Sequence, residues 1–184
     1  RLGAVVEAYD VRPAVKEQIE SLGARFVELP LDTSDAEGAG GYAKAQSDEF
    51  LAKQRELLGA RVRAADAVIS TAAVPGARAP VLIDAEVVAG MKPGAVIVDL
   101  AAATGGNCAL TQADETVVAN GVTILGPTNL PAEVAHDASR VYSRNLATLL
   151  LHLVKDGTLQ LDREDEITNS ALLTHDGQVV NANV

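Results

Sequence analysis

The 184-residue sequence has little sulfur and few aromatic rings: one cysteine, one methionine, no tryptophan, three tyrosines and two phenylalanines. A lone Cys108 cannot close an intrachain disulfide, and no paired Cys/His spacing suggests a zinc site, so a reducing compartment fits and no metal is expected. Excess positive charge is missing too. Lys and Arg number 15 against 25 Asp and Glu, for a formal net charge of −10. That balance opposes the counterion release that drives general nucleic-acid binding and repels an anionic lipid surface, so no nucleic-acid partner is expected. The most apolar helical stretch, Leu146 to Val154, is interrupted by Thr148 and His152. It is far shorter than the roughly 20 residues needed to cross a bilayer. A Gly-rich G-x-G-x-x-G turn between a strand and a helix is also absent.

What is present, 48% hydrophobic and 22% charged residues, suits one well-packed globular domain rather than two. It opens on Arg1 and enters an apolar strand pattern within three residues, so no signal peptide is expected. A parallel strand needs neighbours, so the expectation is a piece of a longer polypeptide with structure upstream.

Ala4 to Tyr9 is β-rich and stops at Asp10; Pro13 to Leu22 follows with helical pattern and closes at Gly23. Arg25 to Leu29 is the next short strand. Asp32 to Gly41, with Gly38, Gly40 and Gly41, is a loop, and helix formers run from Tyr42 to about Ala65. Further strands are expected at Ala67–Ser70, at Ala95–Val98 ending on Asp99, and at Val122–Leu125, with Asp84 capping a short helix that ends near Met91. A helix runs from Asp137 past Leu153 to Gly157, its charges suiting the helix dipole. Acidic residues and a turn at His175-Asp-Gly177 follow. Strands alternating with helices predict a doubly wound α/β fold with a parallel sheet over residues 1–155, and a tail, 156–184, that packs on a neighbouring domain.

In such sheets ligands bind beyond the carboxyl ends of the strands. Asp10 ends a strand before a helix, the place where a dinucleotide fold puts the acid that accepts from the adenosine ribose hydroxyls; capping the next helix is the competing role. Arg12 could attract a 2′-phosphate or stack on adenine. The glycines before Tyr42 suit either a closing lid or an ordinary loop. Thr71 to Gly76 and Asp99 to Asn107 offer small residues and exposed backbone at strand ends, with Asp99 placed to cap or brace a loop. Asn129, between prolines, is either a carboxamide holder or a turn residue. His136, His152 and His175 form no recognisable site, and Cys108 reads as a small buried residue.

Taken in order, Glu7 to Pro13, Gly40 to Lys44, Thr71 to Gly76, Met91 to Ala101, Gly105 to Cys108 and Thr128 to Pro131 closely resemble the NAD(H)-binding domain I, in the α subunit, of proton-translocating NAD(P) transhydrogenases. The tail resembles that family at Asp165-Glu-Ile167 and Thr174 to Gly177. The resemblance implies a Rossmann-type domain, here without its first strand and Gly-rich turn, that binds NAD(H) on the cytoplasmic side of the bacterial inner membrane. It implies hydride passing to NADP+ on a partner domain while protons cross a membrane domain, and a homodimer. Carried over by position, Asp10, Val11 and Arg12 hold the adenosine end, Gly41 and Tyr42 belong to a lid, and Gln54 and Ala73 are further nucleotide contacts; no catalytic side chain is implied. Direct hydride transfer between nicotinamides needs proximity and shielding, not a general acid or base. The related alanine dehydrogenases are also resembled, in Val74 to Ala77 and Lys92 to Val96. Their loop after the corresponding strand carries an aspartate where this chain has Ala103, which counts against amino-acid oxidation. A non-catalytic NAD-sensing module on the same fold is the alternative from another class.

Overall fold

The computed structural model describes residues 3–31, 47–74 and 76–181. By its internal contacts the chain divides between Thr128 and Asn129 into two compact units. Within the second unit the helix that starts at Ala135 runs directly into a hairpin.

The first unit begins with β1 (Glu7–Ala8), α1 (Val15–Ser21) and β2 (Arg25–Phe26). Gly23 at φ +80° ends the helix in the left-handed conformation that glycine adopts without steric cost. β1 and β2 pair in parallel, Glu7 opposite Arg25 and Ala8 opposite Phe26. This is the β-α-β unit expected from the pattern, with both strands shorter.

Helix α2 (Asp48–Ala64) starts at Ser47, whose hydroxyl accepts from the Phe50 amide at 3.2 Å. Asp48 and Glu49 in its first turn and Arg61 and Arg63 in its last complement the dipole. β3 (Ala67–Ser70), α3 (Ala85–Ala89) and β4 (Val96–Asp99) follow, and Asp84 caps α3 by accepting from the Val87 amide at 2.8 Å, as expected. β5 (Thr116–Ala119) and β6 (Val122–Leu125) complete a four-stranded sheet in the order β3-β4-β6-β5. β3, β4 and β6 are parallel and β5 is antiparallel to β6.

Strand β5 is not among the expected elements, although the sequence carries its signal. Asn120 (φ +52°) and Gly121 (φ +78°) form a two-residue turn between two β-branched runs, the backbone of a type I′ hairpin. The sheet is otherwise the predicted mixed α/β arrangement, dominated by parallel pairing.

Register puts Val68, Ile97, Ile124 and Val117 side by side on one face. That face is the core. Val87, Val88 and Met91 from α3 and its exit, with Ile83 and Cys108, pack with Ile97, Val122 and Ile124. Val88, Ile97, Val122 and Ile124 are fully buried, each contributing about 1.5–3 kcal/mol. On the other face Ile69 and Val118 stay 70% and 68% exposed. The apolar run of β4 therefore does not report equal burial on both sides. Because strand residues alternate faces, Ser70 and Asp99, the last residues of β3 and β4, share the buried face.

The second unit holds α4 (Leu130–Glu133), α5 (Ala135–Leu153), the hairpin β7 (Val154–Lys155) and β8 (Thr158–Leu159), α6 (Glu166–Ala171), and the hairpin β9 (Thr174–His175) and β10 (Gln178–Val179). Both hairpins turn on Asp-Gly pairs at positive φ, Asp156-Gly157 and Asp176-Gly177. The second is the turn expected at His175 to Gly177.

Candidate functional site

The carboxyl ends of the parallel strands carry three groups of side chains. At the exit of β1, Asp10 does not cap α1, which has no side-chain cap. It closes on Arg12 instead. Asp10 Oδ1 accepts from the Arg12 amide and from Arg12 Nε, both at 2.9 Å, and Oδ2 accepts from Arg12 Nη2 at 2.8 Å. Burial pushes the Asp10 carboxyl up, but the side-chain and backbone hydrogen bonds from Arg12 and its charge outweigh that and hold it below the ordinary carboxylate value. The residue is thus an anion fixed in place by a two-residue turn.

Beside it, Gln54 of α2 donates from Nε2 to the Tyr9 hydroxyl at 2.9 Å. Burial raises the Tyr9 phenol above its usual value, the Gln54 bond opposes this, and the Asp10 charge adds to it. Gln54 is only 2% exposed, yet its Oε1 has no partner among the described residues. A buried unsatisfied amide oxygen is costly and rare. It marks this strand exit as the place where the first unit's polar accounting does not close.

The exits of β3 and β4 are tied together by one carboxylate. Asp99 is fully buried. Its Oδ1 accepts from Ser70 Oγ at 3.2 Å and from the Ala101 amide at 3.1 Å. Its Oδ2 accepts from the Asn107 amide at 2.7 Å, the Cys108 amide at 2.9 Å and Thr111 Oγ1 at 2.7 Å. Five donors replace the water this charge gave up. The brace expected at Asp99 is present, with more partners than a turn requires.

Asn107, also fully buried, extends the brace back to the β3 exit. Its Oδ1 accepts from the Ala72 amide at 3.0 Å while its Nδ2 donates to the carbonyls of Ala72 and Pro80, both at 2.8 Å. Gly106 makes the approach possible: at φ +79°, a Cβ there would lie 2.8 Å from Asp99 Oδ2. Ala73, the next residue after the clamped Ala72, is exposed on the rim. The sequence pattern singles out the small residues from Thr71 to Gly76, and the family resemblance picks Ala73 among them, but neither gives Asn107 a role of its own. The one signal it offers is an amide side chain directly after two glycines.

At the β6 exit, Asp114 (φ +59°) accepts from the Thr128 amide at 2.9 Å and from the Thr128 hydroxyl. These bonds hold its carboxyl below the usual value. Asn129 begins the second unit as the residue before α4, with no side-chain cap bond. Gly41 and Tyr42 lie outside the described residues. Among the expected nucleotide contacts, the structure therefore gathers Asp10, Val11 and Arg12 in one turn, with Gln54 reaching the neighbouring Tyr9, and sets Ala73 at the β3 exit of the same unit.

The three histidines all belong to the second unit. His152 Nε2 lies 2.8 Å from Asp165 Oδ2 in the second unit, and His136 is fully at the surface. Cys108 is buried, with its thiol pushed up by burial. Among the described residues no group of three or more His, Cys, Asp or Glu could hold a metal ion, and no helix is long and apolar enough to cross a membrane.

Known proteins resemble this chain in sequence and in fold. The family model for the alanine dehydrogenase/PNT C-terminal domain matches residues 1–182. An NAD(P) transhydrogenase subunit alpha polypeptide of Rhodospirillum rubrum is 48% identical over 183 residues, covering 98% of this chain and 48% of that protein. A solved transhydrogenase from Sinorhizobium meliloti superposes with a TM-score of 0.72 at 40% identity, over 98% of this chain and 46% of the other. An alanine dehydrogenase from Halomonas elongata is 32% identical over 122 residues, covering 64% of this chain and 33% of that protein. The chain spans about half the length of the first of these relatives.

Proposed function

The chain belongs to the alanine dehydrogenase/PNT C-terminal domain family, and from that premise we propose that it is the NAD(H)-binding part of the α subunit of a proton-translocating NAD(P) transhydrogenase. The observation that carries this reading is identity across the chain: 48% with a transhydrogenase subunit over 98% of the residues, against 32% with an alanine dehydrogenase over 64%. The rim agrees with it. At Ala103, where an alanine dehydrogenase needs a carboxylate for proton transfer, an exposed methyl stands in the 3-10 turn Ala102–Thr104.

In this reading Asp10 accepts from the adenosine ribose hydroxyls. Three of the carboxylate's four lone-pair directions are used by Arg12, so one on Oδ2 can take a ligand hydroxyl without rearrangement and a second requires Arg12 Nε or Nη2 to yield. The negative charge at this position disfavours a 2′-phosphate, which selects NAD(H) over NADP(H). Val11 and Arg12 complete the adenosine end, and Gln54 Oε1 is an acceptor beside it. Gly41 and Tyr42 act as the lid and Asn129 as a carboxamide holder. The dinucleotide supplies the hydride, and the protein's part is to orient the ring and exclude water. NADP(H) is bound by a partner domain, protons cross a membrane domain, the subunit is a peripheral homodimer on the cytoplasmic side, and residues 156–184 pack on a neighbouring domain.

The test is hydride transfer by the full-length polypeptide mixed with its NADP(H)-binding partner. Transfer between NADH and an NADP+ analogue is expected. NADH formation dependent on alanine would instead select the dehydrogenase, and NADH binding with no transfer in either assay would leave a sensing module.

A further inference from the structure

Asn107 makes one of its three side-chain bonds to the Pro80 carbonyl and the other two to the backbone of one residue, accepting from the Ala72 amide and donating to the Ala72 carbonyl. That is the pairing a neighbouring strand would offer. One planar amide therefore continues β3 two residues past Ser70, the last residue in its ladder, and delivers Ala73 to the rim in a fixed direction. The amide is itself fixed: the Asn107 and Cys108 backbone N–H groups are held by Asp99 Oδ2, and the Asn107 carbonyl accepts from Leu82 and Ile83 at 2.8 and 3.0 Å. Asp99 Oδ1 meanwhile takes Ser70 Oγ and the Ala101 amide, so one carboxylate sets the exits of two adjacent parallel strands relative to each other.

A dinucleotide on a doubly wound sheet lies across two halves of the fold, one for each nucleotide. With the adenosine half at the β1 exit, the exits of β3 and β4 serve the other half. We propose that Asp99 and Asn107 are positioning residues for the nicotinamide ring of the dinucleotide: they hold the backbone at 71–74 and 101–111 in the one arrangement that the ring requires. This rests on the NAD(H) reading above. Neither side chain touches the ligand, since both are fully buried; their effect passes through Ala72, Ala73 and Ala101. The loop is ordered before the ligand arrives, which removes an ordering cost from binding.

The experiment uses the full-length polypeptide and two probes, NADH and ADP-ribose, which lacks the nicotinamide ring. Asn107→Ala is expected to weaken NADH binding about tenfold while ADP-ribose binding changes less than about twofold, because only the nicotinamide side loses its fixed backbone. The same variant should raise KM for NADH more than it lowers kcat. A loss of stability spread over the whole domain would weaken both probes equally, and that result overturns the proposal, as does unchanged binding of both. If Asn107→Ala does not fold, Thr111→Val decides the matter. It removes only the hydroxyl that donates to Asp99 Oδ2, and is expected to weaken NADH about threefold and leave ADP-ribose unaffected; equal effects on the two probes overturn the proposal. Failure of the unmodified protein to bind NADH at all refutes the functional reading and the positioning role together. Normal binding by the unmodified protein with no selectivity in the variants refutes the positioning role alone.

Discussion

If Asp10 grips the adenosine ribose as proposed, replacing it with serine should convert a cofactor-selective strand exit into a permissive one. Asp10 is an anion whose side chain is 24% exposed, held to Arg12 at 2.8 Å. A unit charge 4 Å from a phosphate oxygen repels it by about 4 kcal/mol at an effective dielectric of 20. Partial exposure and the guanidinium alongside cut that to about 2 kcal/mol, a factor of about thirty in NADPH affinity. The substitution removes the repulsion and leaves the Arg12 charge in place. At the same time NADH loses a hydroxyl bond to a carboxylate, worth about 1.5 kcal/mol, so its affinity should drop about tenfold. Fluorescence titration of both reduced nucleotides against the full-length protein and the variant measures both effects. If the ratio of the two dissociation constants is the same in both proteins, Asp10 is not at the ribose and the adenosine half lies elsewhere.

Two further outcomes follow from the geometry. Gly106→Ala should cost about 2–4 kcal/mol, since it combines a φ of +79° with a Cβ placed 2.8 Å from Asp99 Oδ2; a melting temperature within a degree of the parent protein's would contradict the described loop. In the second unit, Asp165 is held far below the usual carboxylate range by His152, the Thr168 hydroxyl and the Thr168 amide. A depressed carboxylate stabilises the fold fully above its unfolded value of 3.8 and loses that contribution as pH falls toward the folded one. Protection of the Thr168 amide, measured relative to its intrinsic exchange rate, should therefore fall as pH drops from about 5 toward the folded value, and Asp165→Asn should abolish that acid dependence. Equal acid sensitivity in both proteins would show that another group governs α6.

Much of the fold is written locally. Asp84 announces its helix because a cap is a contact three residues long, and the parallel strands announce themselves by short β-branched runs. Antiparallel β5 is equally local, in the Asn120-Gly121 turn, but Gly121 serves just as well as a plain approach to β6, and that simpler role hides the turn. The rim is legible unevenly. Asp10 stands at a strand exit as expected, but its closure on Arg12 depends on side-chain reach that one-dimensional spacing does not encode. Asn107 depends on Ala72 and Pro80, which lie 35 and 27 positions away, so no local pattern points to it. The second face of the sheet shows the same limit. Val96, Val98 and Ile97 are indistinguishable as apolar letters, and only pairing with β3 and β6 decides which of them is sealed against α3.

The β5–β6 hairpin also sets the order in which the larger sheet can assemble. Its strands meet across two residues, whereas β3 and β4 pair across a separation of 29, as Ala67 with Val96. Closing the short loop loses little chain entropy and takes microseconds, while the longer closures must wait for a surface to add to. The hairpin is thus the natural template: β6 offers its free edge to β4, and β4 then receives β3. The one antiparallel ribbon in an otherwise parallel sheet gives a slow topology a fast beginning.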